Sequence, residues 1–306
     1  MNNRNIVNET TLPNPLYRGK VRDTYDLGSG LLLMVATDRI SAFDVVLPTP
    51  VPQKGEVLSR LSAFWFLKTT NILENHLVAL ADDASALEKI LGYNFETSLP
   101  KDIAVRSSVV RKAERVDVEC VIRGYLAGSA WAEYQKTGTI HGEPAPEGML
   151  EGEKLAHPIF TPTTKADQGH DLPISIAELV NQIGKSLADD LEKQSISLYS
   201  SAHDYAFEQG IILADTKLEF GLIEGNLTLI DEAFTPDSSR FWDVSSYQPG
   251  LTPPGYDKQF VRDWLTEQGW DREPPAPELP SDIIEKTRKR YFEAYRRLTN
   301  KNIPER

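Results

Sequence analysis

Apolar and polar residues follow two periodicities along the chain. Alternating or short continuous apolar runs predict β-strands, and apolar residues spaced three or four apart predict helices. The predicted strands are residues 19–25, 31–36, 103–111 and 116–123. The predicted helices are residues 57–70, 130–136, 175–209, 257–268 and 281–298. Ser175 is predicted to cap the third helix, and Gly210 to end it.

The most informative pattern is in residues 212–221, where an apolar run leads into charged residues at alternate positions. The charged residues are Asp215, Lys217 and Glu219. Because successive side chains on a strand point to opposite faces, these three are predicted to share one face. Two carboxylates beside an ammonium group are costly to hold together unless a cation and an anionic substrate offset their charge.

The chain is predicted to turn at Gly225 into a second strand, residues 227–232. Folding about Gly225 places Asp231 opposite Glu219, and a shift of half a residue places Glu232 there instead. In either register, two carboxylates on adjacent strands lie within reach of one ion. Oxygen ligands suit Mg²⁺, so the hairpin predicts a magnesium site. The alternative is a solvent-facing hairpin with ordinary charged residues.

Length and charge narrow the class of protein. With 306 residues the chain exceeds a typical single domain, which predicts two domains or one core with a lobe. A net charge of −12 argues against nucleic acid and anionic membrane surfaces as partners. No apolar run is long enough to span a membrane and no signal-peptide pattern occurs, so the cytoplasm is the predicted compartment. The single cysteine, Cys120, excludes an intramolecular disulfide.

In an acidic chain, clusters of cations indicate where anionic ligands bind. Gly19, Lys20 and Arg22 stand at a predicted strand start. The glycine lets the backbone approach phosphates, while the two cations alternate onto one face and neutralise them. The Walker A pattern is absent. The alternative is an ordinary basic strand.

Two further segments combine a cation with small and hydroxyl residues. Arg123 ends a strand and Ser129 opens a helix, which is typical of an anion site, although a simple capped helix has the same pattern. Arg240 closes residues 231–242, whose hydroxyls could hold a second phosphate near the metal or form only a polar turn. Arg262 belongs to another basic cluster.

The sequence gives little support for a histidine metal site or a serine nucleophile. The five histidines lack the spacing of metal ligands, and no cysteine cluster joins them. The Gly- and Pro-rich stretch 137–173 is a long connection that indicates a functional loop. His170 lies in it and is either close to substrate or an ordinary loop residue. A Ser-His-Asp triad has no nucleophile elbow here.

Eight segments resemble the SAICAR synthetase family (phosphoribosylaminoimidazole-succinocarboxamide synthase). They are GKVRDTYD (19–26), ATDRISAFD (36–44), KGEVLSRLSAFWF (54–66), VECVIRGYLAGSAW (118–131), IFTPTTKAD (159–167), LADTKLEFG (213–221), DEAFTPDSSRFW (231–242) and YDKQFVRDWL (256–265). The fourth and sixth correspond to the family's diagnostic signatures. Asp117 stands where the family more often has proline.

The resemblance implies a two-lobed α+β fold similar to ATP-grasp enzymes and protein kinases. An N-terminal lobe, residues 1–112, would cover the nucleotide, and residues 113–306 would hold the metal and substrates. The implied reaction joins L-aspartate to carboxyaminoimidazole ribotide (CAIR) in purine biosynthesis, using ATP and Mg²⁺ and passing through an acyl phosphate. The alternatives are a small-molecule kinase and a non-catalytic nucleotide-binding module. The implied partners are these small molecules alone, with no nucleic acid or membrane, and the protein is expected to be a monomer.

The resemblance also implies roles for individual residues. The ATP-binding residues would be Gly19, Lys20, Arg22, Glu119 and Glu219, with adenine against the strand around 111–119. The metal ligands would be Glu219 and Asp231, and the residues close to the reacting groups would be Asp215 and Lys217. The CAIR-binding residues would be Arg123, Ser129, Arg240 and Arg262. Candidates for the aspartate site are Asp38, Arg39, Ser41, Lys165 and Asp167.

Overall fold

The computed structural model describes residues 6–91, 99–165, 172–251 and 253–304. The strands are β1 (Tyr17–Arg18), β2 (Arg22–Gly28), β3 (Leu31–Ala36), β4 (Ser41–Ala42), β5 (Val45–Val46), β6 (Leu77–Leu80), β7 (Ser107–Arg111), β8 (Glu114–Tyr125), β9 (Thr139–Ile140), β10 (Glu143–Pro144), β11 (Lys154–Phe160), β12 (Thr163–Thr164), β13 (Ile211–Ile223), β14 (Asn226–Ile230) and β15 (Ser239–Asp243). The helices are α1 (Lys54–Lys68), α2 (Ala84–Leu91), α3 (Lys101–Ala104), α4 (Gly128–Thr137), α5 (Ile176–Ile183), α6 (Lys185–Glu208), α7 (Gln259–Glu267) and α8 (Ser281–Thr299). The predicted α+β class is confirmed.

Two antiparallel sheets organise the chain. The first has the strand order β1-β2-β3-β7-β6, and its core includes the buried side chains Leu33, Val35 and Val109. The second has the order β11-β8-β13-β14, with β12 added to β8 and β15 added to β13. Its long central strand, β13, therefore has neighbours on both edges along most of its length, so most of its backbone groups are paired.

The main core lies between the second sheet and the helices. It includes Trp65 of α1, Leu198 of α6, Phe220 of β13 and Tyr291 of α8, which are almost fully buried. Because these side chains belong to one buried cluster, the helices that carry them pack against the inner face of β13. In the described part of the chain, no helix is both long and apolar enough to cross a membrane.

Hydrogen bonds of the backbone join the two sheets near His76. The His76 amide donates to the Leu229 carbonyl at 3.0 Å, and the Leu229 amide donates to the Glu74 carbonyl at 2.9 Å. The Arg111 amide donates to the His76 carbonyl at 2.8 Å. Since Leu229 is in β14, this connection ties the first sheet to the hairpin that carries the candidate site.

Most elements form near their predicted positions, but five predictions need correction, and the first three concern two strands and a long connection. The predicted strand 19–25 is wrong in its first residues, because Gly19 donates to the Arg22 carbonyl at 2.7 Å and closes a turn between β1 and β2. Lys20 therefore lies in a turn, where strand alternation does not set its direction. The predicted strand 103–111 begins instead with the short helix α3 after Pro100, since a brief apolar run does not distinguish strand from helix. The connection 137–173 contains the paired strands β9 to β12.

The predicted long helix 175–209 is two helices. Ser175 caps α5 with a capping box formed with Glu178, as a serine at this position favours. Gly184 then separates α5 from α6 with φ 83° and ψ 153°, a conformation outside the helical region. Apolar spacing continues through the break, which is why periodicity alone did not reveal it.

The predicted register of the β13–β14 hairpin is wrong in both alternatives. Ile223 pairs with Asn226 across a two-residue turn, Glu224 and Gly225, in which both residues have positive φ. Glu219 therefore pairs with Ile230, and neither Asp231 nor Glu232 lies opposite it.

Candidate active site

A row of charged side chains lies along one face of β13. The pairing with β8 is regular from Asp215 to Glu219, so Asp215, Lys217 and Glu219 share a face as the sequence predicts. The intervening residues, Thr216 and Leu218, are buried on the other side. The two carboxylates at the ends of the row are four residues apart, about 13 Å along the strand.

At one end of the row, Lys217 lies between two glutamates. Its Nζ is 2.5 Å from Glu119 Oε1 and 3.3 Å from Glu219 Oε1. Glu119 is the residue of β8 that pairs directly with Glu219. Burial opposes the charge on Lys217, but Glu219 and Glu119 outweigh it and raise the pKa of the lysine. Lys217 is therefore an ammonium group near neutral pH and cannot accept a proton as a general base.

Glu219 has a second cationic partner, Lys165, which donates a hydrogen bond to Glu219 Oε2. Although burial alone would raise the pKa of Glu219, Lys217 and Lys165 lower it to about 2. This carboxylate therefore stays ionised at every physiological pH and is available as an anionic ligand.

Asp231 and Glu232 reach the same region from the end of β14. Arg22 Nη2 is 2.8 Å from Asp231 Oδ2 and 2.9 Å from Glu232 Oε1, so one guanidinium group bridges both. The chain turns sharply at Asp231, with φ 65°. Burial raises the pKa of Asp231 to about 6. Arg22 lowers this pKa, whereas Glu219 and Glu232 raise it further. Arg22 alone therefore does not balance the negative charge that converges here.

This donor set fits Mg²⁺ chemically. Among the described residues, no group of three Asp, Glu, His or Cys side chains is arranged as a protein-only metal site. Mg²⁺ does not need one, since it commonly takes one or two carboxylates and completes its shell with water and substrate phosphate oxygens. Glu219, Asp231 and Glu232 form a carboxylate cluster with excess negative charge, and Glu219 and Asp231 offer it two acidic oxygen donors. The cluster therefore suits Mg²⁺, and a bound Mg²⁺ would in turn attract nucleotide phosphates.

At the other end of the row, Asp215 holds two arginines. It pairs with Arg123 of β8 on one side and Arg240 of β15 on the other. Its Oδ2 is 2.5 Å from Arg240 Nη1 and 3.4 Å from Arg123 Nη1. Arg123 Nη2 also donates to Ser129 Oγ at 2.9 Å, at the start of α4. The two guanidinium groups, the hydroxyl and the helix N-terminus thus converge on one place.

Gly128 makes this convergence possible. A Cβ at Gly128 would lie 2.2 Å from Arg240 Nη2, and its φ of 58° also disfavours other residues. Burial lowers the pKa of Arg262, and the neighbouring Arg240 lowers it further. Asp215 and Asp257 lie among Arg123, Arg240 and Arg262, and Glu133 and Glu151 also act on Arg123 and Arg240. Arg240 nevertheless lowers the pKa of both other arginines, so a bound anion would relieve the repulsion among the three cations.

The remaining predicted residues occupy different places. Lys20, half exposed, has its Nζ 2.6 Å from Asp44 Oδ1. Asp38 is buried, and its Oδ1 lies 2.5 Å from Arg106 Nη1, a structural role. Lys165 is the aspartate candidate that the structure brings to the carboxylate cluster. Asp167 and His170 lie outside the described residues.

The sequence patterns did not predict a buried ion pair that lies beside the site. Lys54 Nζ is 2.7 Å from Asp237 Oδ2, and both side chains are almost fully buried. Tyr291 donates to Asp237 Oδ1 at 2.6 Å, and Lys258 Nζ lies 3.9 Å from Asp237 Oδ2. Burial lowers the pKa of Lys258 to about 8. A signal was present, since Lys54 opens an apolar helix at the end that disfavours cations.

Comparisons with known proteins identify relatives of the whole chain. The sequence profile described as SAICAR synthetase matches residues 15–277. Phosphoribosylaminoimidazole-succinocarboxamide synthase of Thermodesulfovibrio yellowstonii is 50% identical over 302 residues, covering 97% of this chain and 100% of the relative. The protein of the same name from Elusimicrobium minutum is 49% identical over 288 residues, covering 94% and 97%.

Solved structures of SAICAR synthetases are also similar to this chain. SAICAR-synthase from Saccharomyces cerevisiae, complexed with SAICAR, is 43% identical with a TM-score of 0.83, covering 95% of this chain and 96% of that one. A type-2 SAICAR synthetase in complex with ADP is 25% identical with a TM-score of 0.68, covering 94% and 99%.

Proposed function

Because the chain belongs to the SAICAR synthetase family, we propose that it joins L-aspartate to the carboxylate of CAIR in purine biosynthesis, converting ATP to ADP and phosphate. It is therefore a ligase that forms a carbon–nitrogen bond. The observation that carries the proposal is the row along β13. An anion site at Asp215 and a carboxylate cluster at Glu219 lie on one face, with the ammonium group of Lys217 between them.

The two ends of the row suit different ligands. Arg123, Ser129 and Arg240, with Arg262 nearby, would hold the phosphate of the ribotide, because charge-assisted donors converge there. Glu219 and Asp231 would hold Mg²⁺, which supplies neutralisation of the ATP phosphates. Gly19, Lys20, Arg22 and Glu119 would complete the nucleotide site.

Lys217 would act as a fixed positive charge, and Asp215 would act through its ion pairs with Arg123 and Arg240. Lys217 stays charged and would stabilise negative charge on the carboxylate of CAIR as it approaches the nucleotide. Asp215 fixes the directions of Arg123 and Arg240, so its contribution is the placement of the acceptor. Phosphoryl transfer requires positioning and charge neutralisation rather than a protein nucleophile.

The chemistry proceeds in two balanced steps. An oxygen of the CAIR carboxylate attacks the γ-phosphorus of ATP, and ADP leaves with the electrons of the broken bond. The aspartate amine then attacks the acyl carbon, releasing inorganic phosphate and a proton. Cys120 is unsuited to an acyl-enzyme route, because it is fully buried and burial raises the pKa of its thiol.

The first test of function separates the ligase from its rivals. ADP release is measured with CAIR alone, with aspartate alone and with both, and the organic product is identified in each case. We expect SAICAR only when both are present. Sustained stoichiometric ADP release with CAIR alone and no joined product would indicate a kinase instead, and nucleotide binding without turnover would indicate a binding module.

The second test follows the oxygen of the carboxylate. With ¹⁸O in the CAIR carboxylate, we expect one labelled oxygen in the released phosphate, because that oxygen bridges carbon and phosphorus in the acyl phosphate. Mass spectrometry of the phosphate measures the label, and unlabelled CAIR is the control. Unlabelled phosphate from labelled CAIR would show that water accepted the γ-phosphoryl group and would overturn the acyl phosphate.

The cytoplasmic location, the monomeric state and the division at residue 112 stay predictions. The net charge of −12 supports a protein that avoids anionic surfaces.

A further inference from the structure

The Arg39 side chain donates four hydrogen bonds to other groups of the protein. Its Nε donates to the Lys20 carbonyl at 3.0 Å, and its Nη1 donates to the Asn8 carbonyl at 2.7 Å. Its Nη2 donates to the Gly19 carbonyl at 2.9 Å and to Asp23 Oδ1 at 2.8 Å. An arginine has five N–H donors, so a single one is left for a ligand. Arg39 is therefore poorly suited to bind the substrate aspartate.

Thr37 extends the same pattern to the next carbonyl. Its backbone amide and its hydroxyl both donate to the Val21 carbonyl, each at 2.9 Å. Three successive carbonyls of the turn between β1 and β2, those of Gly19, Lys20 and Val21, thus accept hydrogen bonds from Thr37 and Arg39.

This arrangement sets the direction of the backbone amides. In a trans peptide the N–H points opposite to the carbonyl of the same unit. The carbonyls of Gly19 and Lys20 point to Arg39, so the amides of Lys20 and Val21 point away from it. Within the described ranges these two amides have no hydrogen-bond acceptor. Successive outward amides form a binding place for anionic oxygens.

The guanidinium group is itself held in place. Asp23 is fully buried and accepts from Arg39 at Oδ1, while its Oδ2 accepts from the Thr10 hydroxyl at 2.7 Å. Burial opposes the charge on Asp23, but the hydrogen bonds from Arg39 and Thr10 keep its pKa below the usual value. A fixed carboxylate orients a fixed guanidinium group.

The turn lies beside the carboxylate cluster. Arg22, which ends the turn, has its Nη2 2.8 Å from Asp231 Oδ2. Amides on this turn are thus close to where nucleotide phosphates are proposed to meet the metal ligands.

We propose that Arg39 is a positioning residue that aims the Lys20 and Val21 amides at the phosphates of a nucleoside di- or triphosphate. This inference rests on the proposed function, from which it takes the presence of nucleotide phosphates at this turn. Arg39 acts through the backbone and does not touch the substrates.

The test compares ligands with and without phosphates. Arg39→Lys keeps the charge, but an ammonium group cannot donate to four acceptors spread around a planar fork. Calorimetry of parent and variant with ADP and with adenosine isolates the contribution of the phosphates. We expect the dissociation constant for ADP to rise about tenfold or more, the scale of a lost charge-assisted hydrogen bond, and that for adenosine to stay unchanged. The KM for ATP should rise with it, whereas the KM for CAIR should not.

Arg60→Lys is the matched control. Arg60 is on α1 and pairs with Glu56 and Asp82 through its side chain. Among the residues that the structure describes, it makes no hydrogen bond to the turn. Thr37→Val is the second variant. It removes the hydroxyl bond to the Val21 carbonyl and the long bond, 3.4 Å, that the hydroxyl accepts from the Arg39 amide, and it should shift ADP affinity in the same direction by less. It serves as the test if Arg39→Lys does not fold.

Each outcome decides the inference. If the parent binds ADP more tightly than adenosine and both variants keep that ratio, Arg39 does not position the turn. If the variants weaken adenosine and ADP equally, its role is general stability of the first sheet. If the parent itself shows no preference for ADP, the proposed nucleotide site fails, and the inference fails with it.

Discussion

Replacing Glu219 by Gln or Asp231 by Asn is expected to lower kcat by about 10²-fold or more, the scale seen when charge stabilisation is lost from a transition state. Each change removes one carboxylate charge and retains the side-chain volume. Asn is also suited to the left-handed backbone at position 231, where φ is 65°. The loss should therefore reflect the charge and not the fold.

Initial rates measured against Mg²⁺ concentration check this expectation, and thermal unfolding verifies the fold. Glu224→Gln is the control, because Glu224 is an exposed carboxylate at the far end of the same hairpin. Glu219→Gln and Asp231→Asn should each need a higher Mg²⁺ concentration than the parent to reach half of the maximal rate, whereas Glu224→Gln should not. Rates within a few-fold of the parent for Glu219→Gln and Asp231→Asn alike would remove these residues from the metal site.

Arg240→Ala is expected to raise the KM for CAIR by an amount corresponding to about 2–5 kcal/mol, with a much smaller effect on the KM for ATP. Arg240 is the closer of the two arginines to Asp215, at 2.5 Å, and its loss leaves that buried carboxylate with Arg123 alone. The variant thus loses a donor to the ribotide phosphate. It also loses one of the two ion pairs that hold the Asp215 side chain in place.

Steady-state kinetics with each substrate varied in turn measures the two KM values. Arg297→Ala is the matched control, since Arg297 pairs with Asp243 and Glu293 outside the row on β13. A rise in the KM for ATP with the KM for CAIR unchanged would mean that the two phosphate sites are assigned the wrong way round.

The strands show where sequence patterns were sufficient. Residues 31–36 were predicted as a strand and form β3 with the same bounds, because a dense apolar run between turn residues leaves few alternatives. The shared face of Asp215, Lys217 and Glu219 followed from a period of two. Both results depend only on residues that are adjacent in the sequence, because the alternation of side chains along a strand is a local property of the backbone.

The hairpin shows where such patterns fail. The observed partner of Glu219 is Ile230, which is one position from the first predicted partner, Asp231, and two positions from the second, Glu232. The register depends on whether the turn is centred on Gly225 or between Glu224 and Gly225, and both choices satisfy the same turn signal.

By itself, the sequence determined the family, the α+β class and the strand that carries the charged row, since each depends on motifs or periodicity within short segments. Only the tertiary structure decided which distant groups meet: Arg22 with Asp231, Lys54 with Asp237, and Arg39 with the carbonyls of Gly19 and Lys20. The physical reason is that a charged side chain is compatible with many partners of opposite sign. The packing of the sheets and helices selects one of them, and that selection has no periodic trace along the chain.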